Sequence, residues 1–179
     1  MVKLRNLAIL MTAVLAICVV VVLLQSSELR VSRSVTIEAP AGTVFEQVND
    51  FHKWQGWSPW EKVDPQMTRT YEGPAQGTGA SYVWSGNDQA GEGRMTITES
   101  KPNELIRIRL DFVRPMPSTN ELEFTFQPKG NATEATWTLT GRKNFLMKAL
   151  SPFMSIDNIL GSEFEKGLEA MKKIAEGKS

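Results

Sequence analysis

Residues 106–112 alternate without a slip: Ile106, Ile108, Leu110 and Phe112 are interleaved with Arg107, Arg109 and Asp111. At a side-chain period of two, the apolar four share one face of a strand and the charged three share the other. The pattern recurs on both sides of this run. Ala80, Tyr82 and Trp84 share a face, and Met95 and Ile97 oppose Arg94, Thr96 and Thr98. Further on, Leu122, Phe124 and Phe126 oppose Glu121, Glu123 and Thr125, and Trp137 and Leu139 alternate with Thr136, Thr138 and Thr140. Turn-forming residues separate the runs: Gly73-Pro74, Gly86-Asn87-Asp88, Pro102-Asn103, Arg114-Pro115-Met116-Pro117 and Lys129-Gly130-Asn131. Strands joined by short turns pair antiparallel, so the stretch predicts a meander with one apolar and one wet face. A sheet of that kind needs a cover.

The flanks supply candidates. Residues 31–39, VSRSVTIEA, read as a first strand that Pro40-Ala41-Gly42 stops, and residues 43–48 have helical spacing through Val44, Phe45 and Val48. Residues 67–72 begin the strand series. At the other end, residues 145–154 are broken by Pro152, and Ser162-Glu163-Phe164-Glu165 has the form of a capping box with Ser162 as the N-cap. A helix is therefore expected to start there. Its apolar stripe is Leu160, Phe164, Leu168, Met171 and Ala175, with Glu165, Lys166, Glu169, Lys172, Lys173 and Glu176 opposite. Glu169 precedes Lys173 by four residues, the favourable order for a helical ion pair. Gly167 weakens this helix, either to allow a close approach or to leave room for a guest.

Between the first helix and the meander lies Phe51-His52-Lys53-Trp54-Gln55-Gly56-Trp57-Ser58-Pro59-Trp60. Three large indoles in so short a stretch are expected to be mostly buried, either plugging one end of the core or lining a ligand cavity. Gly56 and Ser58-Pro59 confine them to a short helical turn and the irregular segment after it. His52, the only histidine, and Cys18, the only cysteine, exclude an internal disulfide and any metal site of the usual ligand sets.

Residues 7–24, LAILMTAVLAICVVVVLL, carry no charge. As a helix they would run about 27 Å, close to the hydrocarbon thickness of a bilayer. Lys3 and Arg5 ahead of them also suit a signal peptide, but the apolar core is long and the exit at Leu24-Gln25-Ser26-Ser27 lacks a small-x-small cleavage pair. A retained transmembrane helix is the expectation, dividing the chain into an anchor at 1–28 and one domain at 29–179. The short basic end would stay in the cytoplasm, placing the domain in the periplasm of a bacterial inner-membrane protein, although Arg30 and Arg33 nearly balance the charge vote. With 41% apolar residues and equal numbers of acidic and basic ones, the chain has material for one core and no basic stripe for nucleic acid.

Several motifs together resemble the START-like (SRPBCC) superfamily. They are Ala39-Pro40 followed by Val44-Phe45, WQGWSPW at 54–60, GTGASYVWSGN at 77–87, GEGRMTI from Gly91 and FEKGL at 164–168. Within that superfamily the resemblance is to the bacterial polyketide cyclase/dehydrase and lipid-transport-like branch, over residues 32–176. It implies an α+β helix-grip fold, with a curved antiparallel sheet wrapped around the long C-terminal helix and a cavity for apolar guests between them. No catalytic signature is shared across the superfamily, so no catalytic residue and no cofactor is carried over.

Strand parity and the resemblance together nominate Trp57, Trp60, Tyr82, Trp84, Met95, Phe112, Phe126, Trp137, Phe164 and Leu168 as ligand-binding residues. Their rings are expected to border a gap that Gly167 helps to keep open. The leading reading is a membrane-tethered binding module for an apolar small molecule or lipid. The alternatives are a cyclase- or hydratase-like enzyme in the same cavity, for which Tyr82 and Glu99 are the inward polar groups by parity, and a protein-interaction domain, which would need an exposed apolar patch.

Overall fold

A computed structural model of the chain describes residues 2–152 and 154–178. The side chains of Lys3, Leu7 and Cys18, and Phe153 within the segment 145–154, lie outside the described residues.

Seven strands form one antiparallel sheet: β1 (Glu28–Ile37), β2 (Thr68–Glu72), β3 (Ser81–Ser85), β4 (Glu92–Lys101), β5 (Leu105–Arg114), β6 (Ser118–Lys129) and β7 (Ala132–Arg142). Their spatial order is β1-β7-β6-β5-β4-β3-β2. The meander is thus β2 to β7, and β1 returns to pair with β7, Val31 opposite Leu139 and Val35 opposite Ala135. The alternation decides the two faces. Ile106, Ile108, Phe124, Ala135 and Trp137 are buried. On the other face Ser32–Thr138, Ser34–Thr136 and Ser81–Thr96 form cross-strand hydroxyl pairs at 2.8, 2.8 and 2.9 Å, and Arg107 bridges Glu99 and Glu123.

The parity of β4 breaks once. A register shift between Ile97 and Glu99 inserts an extra residue, which reverses the facing of everything after it. Glu99 therefore turns outward, where Lys101 and then Arg107 hold its carboxyl below the usual carboxylate range. Ser100 turns inward instead, donating to Asn49 Oδ1 at 2.7 Å. The expectation that Glu99 faces the interior is corrected by this bulge.

Five helices accompany the sheet: α1 (Val2–Leu24), α2 (Ala41–Asn49), α3 (Trp54–Trp57, between two 3-10 turns), α4 (Phe145–Leu150) and α5 (Ile156–Ala175). The last begins earlier than its capping-box pattern implies. Ser155 is the N-cap, accepting from the Asn158 N–H, and Asp157 complements the helix N-terminus. Ser162 lies inside the helix and donates to the Ile159 carbonyl at 2.9 Å, so it is not the cap.

An arginine fixes α5 against the sheet edge. Arg33 Nε donates to Glu165 Oε1 at 2.8 Å and Nη2 to Asp157 Oδ2 at 3.0 Å. Asp157, Gly161 and Glu165 are four residues apart and so lie on one helical face. A Cβ on Gly161 would collide with the guanidinium, so the glycine makes the channel in which Arg33 lies.

α1 is one continuous helix of 23 residues. Among the described residues, no helix is long and apolar enough to cross a membrane; the described apolar side chains fall into 9–17 and 19–24, on either side of Cys18. The transmembrane helix expected at 7–24 is therefore present as a helix and not as a demonstrated crossing.

Candidate functional site

The tryptophan segment divides into a plug and a wall. α2 ends with carbonyls that have no partner within the helix. Two of them are met by indoles: Trp57 Nε1 donates to Gln47 O at 2.9 Å and Trp54 Nε1 to Val48 O at 3.0 Å. Asp50 caps the turn between, accepting from the His52 backbone and ring, and His52 stacks on Tyr71 at the surface with ring centroids 3.9 Å apart. Trp57 then packs edge-on to Phe124 and Trp137, and α5 closes this end. A Cβ on Gly167 would stand 3.0 Å from Trp137 Cζ3 and 3.1 Å from Pro59 Cδ. Gly167 is a close-approach point. The gap expected beside it is absent, because the indoles and Pro59 already occupy the space.

The hollow lies further along the same interior. It measures about 690 Å³ and is bounded by the inner face of β3 to β7, the segment 58–61, α4 and the first half of α5. Of the residues nominated from sequence, Trp60, Tyr82, Trp84, Met95, Phe112, Trp137 and Phe164 border it. Trp57, Phe126 and Leu168 do not. Trp57 and Leu168 belong to the filled end, and Phe126 packs edge-on against Phe45 at 5.6 Å. Leu110, Leu122 and Leu139 also line the wall; parity puts them on the correct face, but a bias toward aromatic residues passes over them. Trp54, Met67, Met147 and Leu160 also border it, and only the tertiary arrangement brings these four together. A smaller hollow of about 250 Å³ is lined by His52, Tyr71 and the turn after β2.

Trp84 shows how one wall is held. Its cross-strand partner is Gly93, and a Cβ there would collide with the indole. The glycine lets the ring lie across the strand, where its Nε1 donates to Ala90 O at 3.0 Å. Tyr82 lies parallel beside it and Phe112 meets it edge-on.

One carboxylate borders the hollow. Glu61, on the turn after Trp60, accepts from Tyr82 Oη through Oε1 and from Arg69 Nε through Oε2, both at 2.7 Å. Its side chain is 8% exposed. Burial first, and then the neighbouring Glu61, push the Tyr82 hydroxyl well above the ordinary phenol range, so it keeps its proton. Glu61 likewise raises Arg69. The cluster is a neutral phenol and a charge-neutralised carboxylate. Sequence periodicity gives no sign of Glu61, whose role depends on a strand and a turn meeting through space.

The chain matches the family described as polyketide cyclase / dehydrase and lipid transport over residues 28–176. The chain belongs to that family. No curated protein matches this polyketide cyclase/dehydrase-family chain. Among solved structures, it is similar to a Thermobifida fusca protein with a TM-score of 0.60 at 21% identity, covering 82% of this chain and 92% of that one. It is also similar to the Aha1 dimer from Colwellia psychrerythraea, with a TM-score of 0.59 at 14% identity and coverage of 83% and 96%. A third is DynU16, from the dynemicin biosynthetic locus, with a TM-score of 0.56 at 17% identity and coverage of 83% and 48%. At such identities the likeness concerns the fold, and a helix-grip fold carries a cavity but not a particular chemistry.

Proposed function

We propose that the protein is a membrane-tethered binding module for an apolar small molecule or lipid. The observation that carries this reading is the cavity of about 690 Å³, walled by aromatic and aliphatic side chains, whose mouth stands beside the exit of α1. Arg142, Lys143 and Asn144 line it at that end. Glu28, the first residue of β1, pairs with Arg142, and Lys143 N donates to Ser27 O at 2.7 Å. Ser151, just after α4, donates to Gln25 Oε1 at 3.0 Å. Three residues thus separate the helix from the rim of the cavity.

The surroundings support a bilayer on that side. Ile9, Leu10, Met11, Val14, Leu15, Val20 and Leu23 are each at least half exposed and project from every side of α1, and a helix apolar all round asks for lipid or protein cover. Phe145 and Leu146 of α4 are also half exposed. A single pass through a bacterial inner membrane, with the domain in the periplasm, fits Lys3 and Arg5 at the start of α1. A ligand that partitions into lipid would then reach the mouth without crossing water.

Native mass spectrometry of the full chain purified from its own host tests the binding. An adduct with the mass of an apolar compound is expected; no adduct, together with no displacement of a bound apolar dye by any apolar competitor, defeats the reading. Alkaline extraction of membranes tests the tether separately, since release of the full chain to the supernatant would remove the anchor and leave the cavity untouched.

A cyclase- or hydratase-like reaction in the same cavity is favoured by one observation, the buried Glu61 carboxylate on its wall. Both oxygens already hold a donor, an arrangement better suited to fixing the wall than to moving a proton.

A further inference from the structure

We propose that the rim of the cavity is itself a membrane-docking surface: the hairpin tip between β5 and β6 and the outer side of α4 dip into the headgroup layer, so that the mouth opens onto lipid. This rests on the tether reading above and adds a second contact with the bilayer, made by the domain. The tip, residues 113–117, reads VRPMP, and Val113 and Met116 on it are about half exposed. On α4, Phe145, Leu146 and Leu150 are exposed to a similar degree, while Met147 borders the hollow. Successive helical residues are about 100° apart, so the three exposed side chains spread over a face. The tip and the helix meet at Asn144, the N-cap of α4, whose Nδ2 donates to Met116 Sδ at 3.8 Å. Asn144 and Met116 both line the mouth. The exposed apolar side chains therefore form one edge around it.

Distance argues for lipid as the cover. α1 ends at Leu24, and Ser27 O accepts from Lys143 N beside α4. Three residues of extended chain span about 10 Å at most, and the polar layer outside the hydrocarbon core is itself roughly 5–8 Å deep on each side. With α1 in a bilayer up to Leu24, the rim beside Lys143 stands among the headgroups or directly against them. A soluble protein would have to fit between the domain and the bilayer to cover it.

Charge argues the same way. Arg142, Lys143 and Lys148 lie along this edge, and among the described residues none of the three is in an ion pair. Arg114, on the hairpin tip, is by contrast held by Glu92. Apolar side chains at the acyl boundary with cations beside the lipid phosphates is the arrangement of an interfacial segment. A guest dissolved in the leaflet then enters between the hairpin tip and α4.

The experiment uses the full chain in nanodiscs of phosphatidylethanolamine and phosphatidylglycerol, with Cys18→Ser so that a nitroxide is carried by one introduced cysteine at a time. Met116→Cys and Leu146→Cys test the rim. Leu15→Cys in α1 and Asn131→Cys at the turn between β6 and β7 are the references. β6 has 12 residues, which puts residue 131 about 40 Å from the hairpin tip along the strand. Oxygen concentrates among acyl chains and a nickel chelate stays in water, so relaxation of the label by each shows which one surrounds it. Labels at 116 and 146 are expected to lose relaxation by nickel and gain relaxation by oxygen relative to 131, shifting toward the label at 15. If 116 and 146 match 131 while 15 is in lipid, the docking proposal is overturned and the tether stands. If 15 is in water as well, the tether reading falls and takes this proposal with it. Labels at 116 and 146 shielded from both reagents would mean that a second copy of the chain covers the rim, which overturns the assignment to lipid. The two test positions lie on separate elements, so either one decides the question if the other variant does not fold.

Discussion

Trp57 and Trp137 are 2% and 1% exposed, pack edge-to-face with centroids 5.5 Å apart, and still belong to different parts of the molecule. Trp57 sits where α2, α3 and the second half of α5 converge, and its N–H closes the end of α2. Trp137 is covered on the α5 side and borders the hollow on the other. Burial alone does not separate a ring of the filled end from one that borders the hollow; the neighbours across each ring do.

Energetics can break this comparison. Trp57→Ala removes a fully packed indole and strands the Gln47 carbonyl, and is expected to cost about 3–5 kcal/mol in denaturant unfolding at unchanged m value. Leu160→Ala, on the cavity side of α5, is expected to cost less than about 1 kcal/mol, because the half-buried side chain leaves space that is already open. Equal losses at the two positions would mean that the hollow end is packed.

Binding sharpens the comparison. Trp84→Ala removes one wall and is expected to weaken an apolar fluorescent ligand about tenfold through lost contact area. Arg109→Ala, on the outer face beside Asp111, should leave the affinity unchanged. The titration is to be read only among variants that unfold cooperatively.

The two glycines of α5 give a smaller contrast. Gly167→Ala inserts a methyl between Trp137 and Pro59. An overpacking cost of about 1–3 kcal/mol, set against the roughly 1 kcal/mol by which alanine favours a helix, leaves about 1 kcal/mol of net destabilisation. Gly161→Ala meets the flexible end of Arg33 instead, which can swing into water, so its thermal midpoint should stay near that of wild type.

The smallest effect is in the acid limb of stability. Arg33 holds the Asp157 carboxyl below its ordinary value of 3.8, so this aspartate contributes stability above that pH and loses it as the pH falls through its lower folded value. Asp157→Asn should therefore flatten the decline of the unfolding midpoint below about pH 4 and leave its slope unchanged near neutrality. An acid limb identical to wild type would show that the exposed pair contributes nothing.

The inner faces of β3, β5, β6 and β7 were legible because side-chain direction in an unbroken strand follows a period of two, and the apolar stripe of α5 was legible for the same local reason at 3.6. Ile106 to Phe112, Trp137 and Leu168 all lie where periodicity puts them. Glu99 was not legible, since a bulge is a property of two paired strands and a lone strand does not reveal its extra residue. Ser162 shows the limit of a local motif: the capping-box pattern was present, but Ser155 caps the helix about two turns earlier.

What the sequence by itself determined is the alternating face, the covering helix and the aromatic character of the interior, all set by side-chain chemistry and short-range backbone geometry. Only the tertiary structure decided where that interior is full and where it is hollow. Gly167 is closed by Trp137 and Pro59, Glu61 is neutralised by Arg69 from a neighbouring strand, and among the described residues the Trp137 N–H has no hydrogen-bond partner. Each of these depends on which groups, distant along the chain, come within about 3 Å of one another, and hydrogen bonds and van der Waals contacts are decided at that range.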